Sequence, residues 1–321
     1  MKLLITGGAG FIGSNFVMYL QDKYRDYDIT VLDLFTYAAN PRNLDGFKGK
    51  IIRQDICAPI EPAKYDAVIN FAAETHIDNS IQDASPFIKT NYRGVYNLLE
   101  YVRVNKIPKF IQMSTDEVYG DCVEETRFVV KDGVDCWINK MPHPSDEGDI
   151  LKPSSPYSAS KASGEMLCMA YKRTYNTPII VIRPTNNYGK NQHPEKFIPM
   201  LISNALLDLS IPIYGTGTQS RDWLFVGDNC KAIDTILHKG KVGETYNVGA
   251  GNEQTNLEVA FKILALMGKS PNLIKYVADR PGHDVKYSVK TDKIQSLGWK
   301  PTKNFKDGLM ETIEYYEKQN S

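Results

Sequence analysis

Tyr157 and Lys161 stand four residues apart in the run Tyr157-Ser158-Ala159-Ser160-Lys161. That spacing puts both on one face of a helix. An ammonium beside a phenol favours the phenolate and lowers its pKa. Such a tyrosine can take the proton from an alcohol while hydride leaves the same carbon. Surface pairs with this spacing are common, so the surroundings decide its meaning. The run Ser114-Thr115-Asp116-Glu117-Val118-Tyr119-Gly120 carries a second chemistry. Adjacent acids resist joint ionisation, so one can hold a proton while the other acts as a base. Read alone, a solvated loop explains those two acids equally well. The third signal is Gly7-Gly8-Ala9-Gly10-Phe11-Ile12-Gly13. Glycines there permit a tight turn, close approach of a pyrophosphate, and close packing of helix on strand. Free N–H groups at the helix start then face the phosphates. Asp33, twenty residues after Gly13, is placed to accept from a ribose 2′-hydroxyl and to repel a 2′-phosphate. That favours NAD over NADP.

Elements of two periods must position these residues. Short apolar runs predict strands over Lys2–Thr6, Ile29–Leu32, Ile51–Arg53, Ala67–Phe71, Phe110–Met113 and Ile179–Ile182. Helical spacing predicts helices over Phe11–Lys23, Pro86–Asn105 and Pro156–Tyr175. Strands alternating with helices predict a parallel α/β sheet. The glycine run, Asp55-Ile56, Phe71-Ala72-Ala73 and Thr115–Glu117 all fall at carboxyl ends of strands, where such sheets bind ligands. Residues 121–155 read as a long surface excursion with a hairpin around Phe128–Ile138. Beyond about Pro184 shorter elements follow, over Phe197–Leu207, Trp223–Val226, Asn229–Leu237 and Leu257–Met267. The expected division is residues 1–184 as a dinucleotide-binding domain and 185–321 as a smaller lobe. The boundary is soft, because the chain can return to the first sheet.

Composition narrows the function classes. The 321 residues carry 38 basic and 38 acidic side chains, which leaves no electrostatic footprint for nucleic acid or an anionic membrane. No apolar stretch approaches the roughly 20 residues of a membrane helix. Met1–Thr6 reads as a strand and not a signal peptide. Cys57, Cys122, Cys136, Cys168 and Cys230 form no CxxC pair, so free thiols in a reducing cytoplasm are expected. The histidines are scattered and no metal site is expected. His76, beside apolar residues, reads as structural.

The glycine turn, Asp33 and the Tyr157/Lys161 pair together resemble the extended branch of the short-chain dehydrogenase/reductase superfamily. The Thr115-Asp116-Glu117 run resembles the nucleotide-glucose 4,6-dehydratase family within it. The resemblance extends over nearly the whole chain, through Ala73–Asp78, Tyr157–Ala162, Asn186–Gly189, Pro194–Pro199, Ser220–Trp223 and Asp279–Asp284. It implies a Rossmann-type doubly wound sheet with a smaller C-terminal lobe, bound NAD, and a homodimer built on helices 86–105 and 156–175 of each subunit. It implies the catalytic set Thr115, Asp116, Glu117, Tyr157 and Lys161. Cofactor contacts are implied at Gly7, Gly10, Phe11, Ile12, Gly13, Asp33, Thr36, Asp55 and Ile56. Further ones are Phe71, Ala72, Ala73, Thr75, Thr90 and Asn187, besides Tyr157 and Lys161. For the nucleotide sugar it implies Thr75, Thr115, Asn186, Lys196, Phe197, Pro212, Tyr214, Arg221, Asn256, Arg280 and His283. Without the resemblance, Arg221 pairing with Asp222, and Arg280 with Asp279 or Asp284, would be the simpler reading. The implied reaction is C4 oxidation, loss of water across C5 and C6, and reduction at C6 of dTDP-glucose. Asn79 stands where dTDP-glucose enzymes are expected to carry Arg and matches UDP-glucose relatives, so UDP-glucose stays open. A 4-epimerase is the remaining enzyme alternative, and a catalytically silent NAD-binding protein the non-enzymatic one.

Overall fold

A run such as Lys2-Leu3-Leu4-Ile5-Thr6, apolar at consecutive positions, suits a strand buried on both faces. In the computed structural model it is an interior strand of a seven-stranded sheet. The structure describes residues 1–122, 125–131, 134–140, 143–279 and 282–320, with the backbone alone for 125–131 and 134–140. In chain order the first half comprises β1 (Lys2–Thr6), α1 (Phe11–Lys23), β2 (Asp28–Asp33), β3 (Lys50–Arg53), β4 (Ala67–Asn70), α2 (Ile77–Gln82), α3 (Ser85–Ile88), α4 (Val95–Val104), β5 (Phe110–Met113), β6 (Glu125–Lys131), β7 (Val134–Lys140) and α5 (Pro156–Tyr175). The second half comprises β8 (Ile179–Pro184), β9 (Asn186–Tyr188), α6 (Phe197–Leu206), β10 (Ile211–Tyr214), β11 (Ser220–Phe225), α7 (Val226–Lys239), β12 (Thr245–Val248), β13 (Glu253–Thr255), α8 (Asn256–Leu266), β14 (Ile274–Val277), α9 (Asp292–Ser296) and α10 (Phe305–Asn320).

The central sheet runs β12-β8-β5-β4-β1-β2-β3, all parallel. Alternate residues of β1 serve different layers. Leu3 and Ile5 pack with Phe16 and Val17 of α1 and Ile233 of α7. Leu4 packs with Leu98 of α4 and Cys168 of α5 on the other face. The result is a doubly wound, three-layered unit. A separate core joins Ile198 and Leu201 of α6 to Ile213, Trp223, Ile263 and Leu309. β12, late in the chain, returns to the edge of the first sheet beside β8. The order reverses between β1 and β4, which opens a crevice at their carboxyl ends. Buried side chains level those ends. Thr6 Oγ1 donates to Asn70 Oδ1 (2.6 Å), and Asn70 Nδ2 to Gln112 Oε1 (2.9 Å).

The expected helix 86–105 is interrupted. Between α3 and α4 the backbone makes a π turn over Lys89–Gly94. Asn91, inside it, donates from Nδ2 to Glu74 O and to Ser160 Oγ, both at 2.9 Å. Those bonds reach 17 and 69 residues along the chain, so helical spacing does not register them. π turns inside helices frequently mark functional sites, and this one carries Lys89 and Thr90 to the cavity described below. In the 121–155 excursion the expected hairpin is the antiparallel pair β6–β7.

Helix α5 is fixed from beneath by a buried ion pair. Arg183 Nη2 meets Glu165 Oε2 at 2.6 Å, with both side chains under 5% exposed (4% and 1%). Arg183 Nη1 also donates to Tyr119 Oη (2.6 Å), which in turn donates to Asn247 Oδ1 (2.8 Å). Removing one partner strands a buried charge. We expect Glu165→Ala to lower unfolding free energy by about 3–5 kcal/mol, read by urea titration. A loss within ordinary surface-mutation scatter would show that the pair is hydrated.

Candidate active site

The glycine turn is dictated by the register of β1 with β4. Thr6 pairs with Asn70, so the next residues, Gly7 and Phe71-Ala72, are forced together. Gly7 has φ +70°, and a Cβ there would lie 2.4 Å from Ala72 N. A Cβ on Gly13 would lie 2.2 Å from Gly7 O. Only bare backbone fits. Gly10 starts α1 without a side-chain cap, and the first turn holds no acid, so its N–H groups remain for an anion. Asp33 does more than its spacing foretold. Its Oδ2 accepts from Ala9 N (2.8 Å) and its Oδ1 from Phe35 N (2.7 Å), fastening the turn to the end of β2. Burial raises its pKa, partly offset by those two bonds. Each oxygen retains capacity for a further donor.

The acid pair is equally constrained. After β5 the chain enters a single 3₁₀ turn, Asp116–Tyr119, and Thr115 Oγ1 accepts from Glu117 N (3.3 Å) at its start. Thr115 Oγ1 donates to Asp116 Oδ1 (3.2 Å). Asp116 Oδ2 has no hydrogen-bond partner among the described residues. Burial, then the charge of Glu117, push the Asp116 carboxyl well above its ordinary range, and Arg221 only partly opposes them. The protonated form of Asp116 is therefore favoured more than that of an ordinary carboxylate.

Tyr157 enters from the head of α5. Ser155 and Ser158 cap that helix reciprocally, Pro156 occupies its first turn, and Tyr157 N donates to Ser80 Oγ (3.2 Å). Burial, then the charge of Glu117, raise the Tyr157 pKa, and a hydrogen bond with Thr115 lowers it in part. Lys161 Nζ is directed at the carbonyl of Met113 (2.7 Å), at the end of β5. Burial pushes the Lys161 ammonium down to about 8. The depression of Tyr157 expected from Lys161 is not seen: burial and the charge of Glu117 raise its pKa.

One cavity of about 470 Å³ joins these parts. Every catalytic candidate and every cofactor candidate lines it, from the glycine turn through Thr36, Asp55, Ile56, Thr90 and Asn187 to Lys161. Of the nucleotide-sugar candidates, Thr75, Thr115, Asn186 and Lys196 line it. Lys196 Nζ donates to Thr75 O (2.9 Å), and burial lowers its pKa. Phe197, Pro212, Tyr214, Arg221, Asn256 and His283 are not part of this wall. They sit on the C-terminal elements: Phe197 stacks on Trp223, and Tyr214 meets the His283 ring edge-on. Asn256 opens α8, and Pro212 lies in β10. Arg280 falls outside the described residues. Arg221 does not pair with Asp222, whose oxygens accept from Ala250 N and Asn252 N. His76 caps α2 by accepting from Asn79 N (3.3 Å). The sequence reading assigned no role to Glu74, Lys89, Gln192 and His193, which also line the cavity. Each is a polar residue in a loop or turn, with no spacing signal of its own. Among the described residues no helix is long and apolar enough to cross a membrane.

A doubly wound parallel sheet, a glycine turn at its switch point and a Tyr/Lys pair against a buried acid pair define a dinucleotide-dependent enzyme of the short-chain dehydrogenase type. The chain belongs to the NAD dependent epimerase/dehydratase family, whose pattern matches residues 3–249. It is 41% identical to the low-salt glycan biosynthesis protein Agl12 of Haloferax volcanii, over 98% of each chain. It is also 41% identical to a dTDP-glucose 4,6-dehydratase of Streptomyces niveus, over 98% of this chain and 93% of the other. Among solved structures, the DesIV dTDP-glucose 4,6-dehydratase of Streptomyces venezuelae with NAD bound superposes with a TM-score of 0.91. It is 38% identical, with 100% of this chain and 98% of that chain covered.

Proposed function

We propose that this enzyme dehydrates dTDP-glucose to the 4-keto-6-deoxy sugar nucleotide with NAD as resident cofactor. The observation that carries the reading is the buried Asp116–Glu117 pair in the same cavity as Tyr157 and Lys161. An epimerase needs the Tyr/Lys half alone. Elimination additionally needs a base for C5 and an acid for the C6 hydroxyl. NAD fits the cradle that Gly7 and Gly13 leave open, with Asp33 for the ribose. When bound there, NAD would supply the hydride acceptor for C4 and, once reduced, the hydride donor for C6. Tyr157 acts as the phenolate, the form that its hydrogen bond with Thr115 favours, and receives the O4 proton at Oη, with Lys161 ordering it. The C4 ketone then acidifies the C5 proton, which Glu117 removes. Asp116 supplies its proton to the departing C6 hydroxyl, which leaves as water, and the proton held by Glu117 returns to C5 as C6 is reduced. Burial of all five side chains keeps bulk water from the unsaturated intermediate.

Residues up to about 184 hold the cofactor, and residues 185–321 hold the nucleotide sugar through Lys196, Asn186 and Arg221. The similarity to dTDP-glucose enzymes supports dTDP over UDP. Asn79 is the one residue that favours UDP-glucose. A homodimer is supported by apolar side chains left exposed on α3–α5, among them Ile88, Tyr96, Met166 and Met169. Buried free thiols at Cys168 and Cys230 fit a reducing cytoplasm.

The test is incubation of the purified protein with dTDP-glucose and with UDP-glucose separately, followed by mass spectrometry. A product lighter by one water from dTDP-glucose is expected. Loss of water from UDP-glucose alone would reassign the nucleotide. No loss from either would return the epimerase reading.

A further inference from the structure

Beside the acid pair lies a buried network that the reaction above leaves unused. One oxygen of Asp284 accepts from both Ser154 Oγ and Tyr287 Oη. Ser154 directly precedes the cap of α5, the helix that carries Tyr157. The Tyr287 ring, 4% exposed, lies 4.3 Å from the guanidinium carbon of Arg221. Arg221 is buried too, and its partners among the described residues are backbone carbonyls. Nη2 donates to Asp284 O (2.9 Å), and Nη1 to Ser220 O (2.8 Å) and Val285 O (3.4 Å). A guanidinium has five N–H groups in a rigid fork. Three are engaged here, which leaves Nε–H and one Nη2–H without a partner among the described residues. No carboxylate hydrogen-bonds to this charge among the described residues, and it reaches as far as Asp116. Tyr287 in turn lies in the field of Glu117.

We propose that Tyr287 is a positioning residue for the nucleotide sugar: its ring face sets the plane of Arg221, so that these N–H groups of the guanidinium meet the substrate diphosphate. The inference rests on the reading of Arg221 as a diphosphate contact. The chemistry requires such a support. A planar fork binds two phosphate oxygens only in the right plane, and an aromatic face is the surface that holds a guanidinium flat without cancelling its charge.

The test uses the NAD-loaded enzyme and dTDP as an unreactive probe, with binding measured by calorimetry. Tyr287→Leu is expected to raise the Kd for dTDP, and the KM for dTDP-glucose, by about tenfold. NAD content is expected to stay at the wild-type level, and kcat to change much less than KM. Tyr287→Phe keeps the ring and is expected to stay within about twofold of wild type. In an Arg221→Lys background, Tyr287→Leu is expected to add less than about twofold, because the effect runs through the guanidinium. Tyr287→Met fills the space without a ring face and carries the same expectations if the leucine variant does not fold. Wild-type binding in Tyr287→Leu, equal weakening in Tyr287→Phe, or full additivity with Arg221→Lys would each overturn the inference. Turnover of dTDP-glucose by wild type is judged separately: its absence removes the dehydratase reading, whatever the Tyr287 variants bind.

Discussion

Glu117→Gln is expected to lower formation of the 4-keto-6-deoxy product by about 10²–10⁴-fold, the usual contribution of a positioned acid or base. Oxidation at C4 should survive, so reduced nicotinamide absorbance is expected to appear on mixing with dTDP-glucose and to persist. The substitution keeps the side-chain volume and leaves the backbone bond from Glu117 N to Thr115 Oγ1 in place, so the 3₁₀ turn should hold its shape. Asp116→Asn provides the contrast. It removes the acid and spares the base, so exchange of the C5 hydrogen with deuterated solvent should continue there and stop in Glu117→Gln. The two variants also separate electrostatic causes. Burial is the larger reason that Asp116 is raised, and Glu117 the next. With the neutral amide at 117, the Asp116 pKa should fall but stay above the ordinary carboxylate range. Full dehydratase turnover in Glu117→Gln would remove the acid pair from the mechanism.

What the sequence made legible follows the range of the forces involved. β1, α1, β5 and α5 begin and end where local apolar spacing and caps place them. The Ser155/Pro156 start of α5 is a short-range signal that one sequence carries whole. The glycine turn was equally readable, because strand, turn and helix are contiguous. The helix expected over 86–105 forms with a π turn at Lys89–Gly94 that spacing does not report; there Asn91 bonds to Glu74 and Ser160, both distant in sequence. Without the family resemblance, adjacency alone would pair Arg221 with Asp222. Folded, its ring partner is Tyr287, and Asp222 serves a backbone loop. The mutual repulsion of Asp116 and Glu117 was legible because adjacent acids repel wherever they are buried; their acid and base roles are what the two variants test. The pKa of Tyr157 did not follow the sequence argument, because burial is a property of the whole fold and no residue spacing reports it.

Tyr157→Phe is expected to stop the reaction before it starts, with turnover down by about 10²–10⁴-fold and no reduced nicotinamide on mixing. That absence separates it from Glu117→Gln, in which the reduced cofactor accumulates. The loss should occur without unfolding. The ring that remains still packs edge-on against Phe87, at 6.3 Å between centroids, and Tyr157 N still reaches Ser80 Oγ. The pH dependence assigns the helper. Lys161 is held down to about 8 by burial, so its ammonium is lost as pH rises through that value. With it goes a positive charge in the cavity that Tyr157 also lines. Wild-type kcat should therefore fall above about pH 8, and Lys161→Met should show a low, flat profile across the same range. The stability sign runs the other way. A lysine whose folded pKa lies below its unfolded value releases its proton first in the folded state, so its burial penalty is full below about 8 and fades as pH rises toward the unfolded value near 10.5. Activity that falls while thermal stability contributed by Lys161 rises, between the same two pH values, marks catalytic loss and not denaturation. A Lys161→Met enzyme that kept the wild-type alkaline limb would assign that limb to another group and leave Lys161 a structural anchor for Met113.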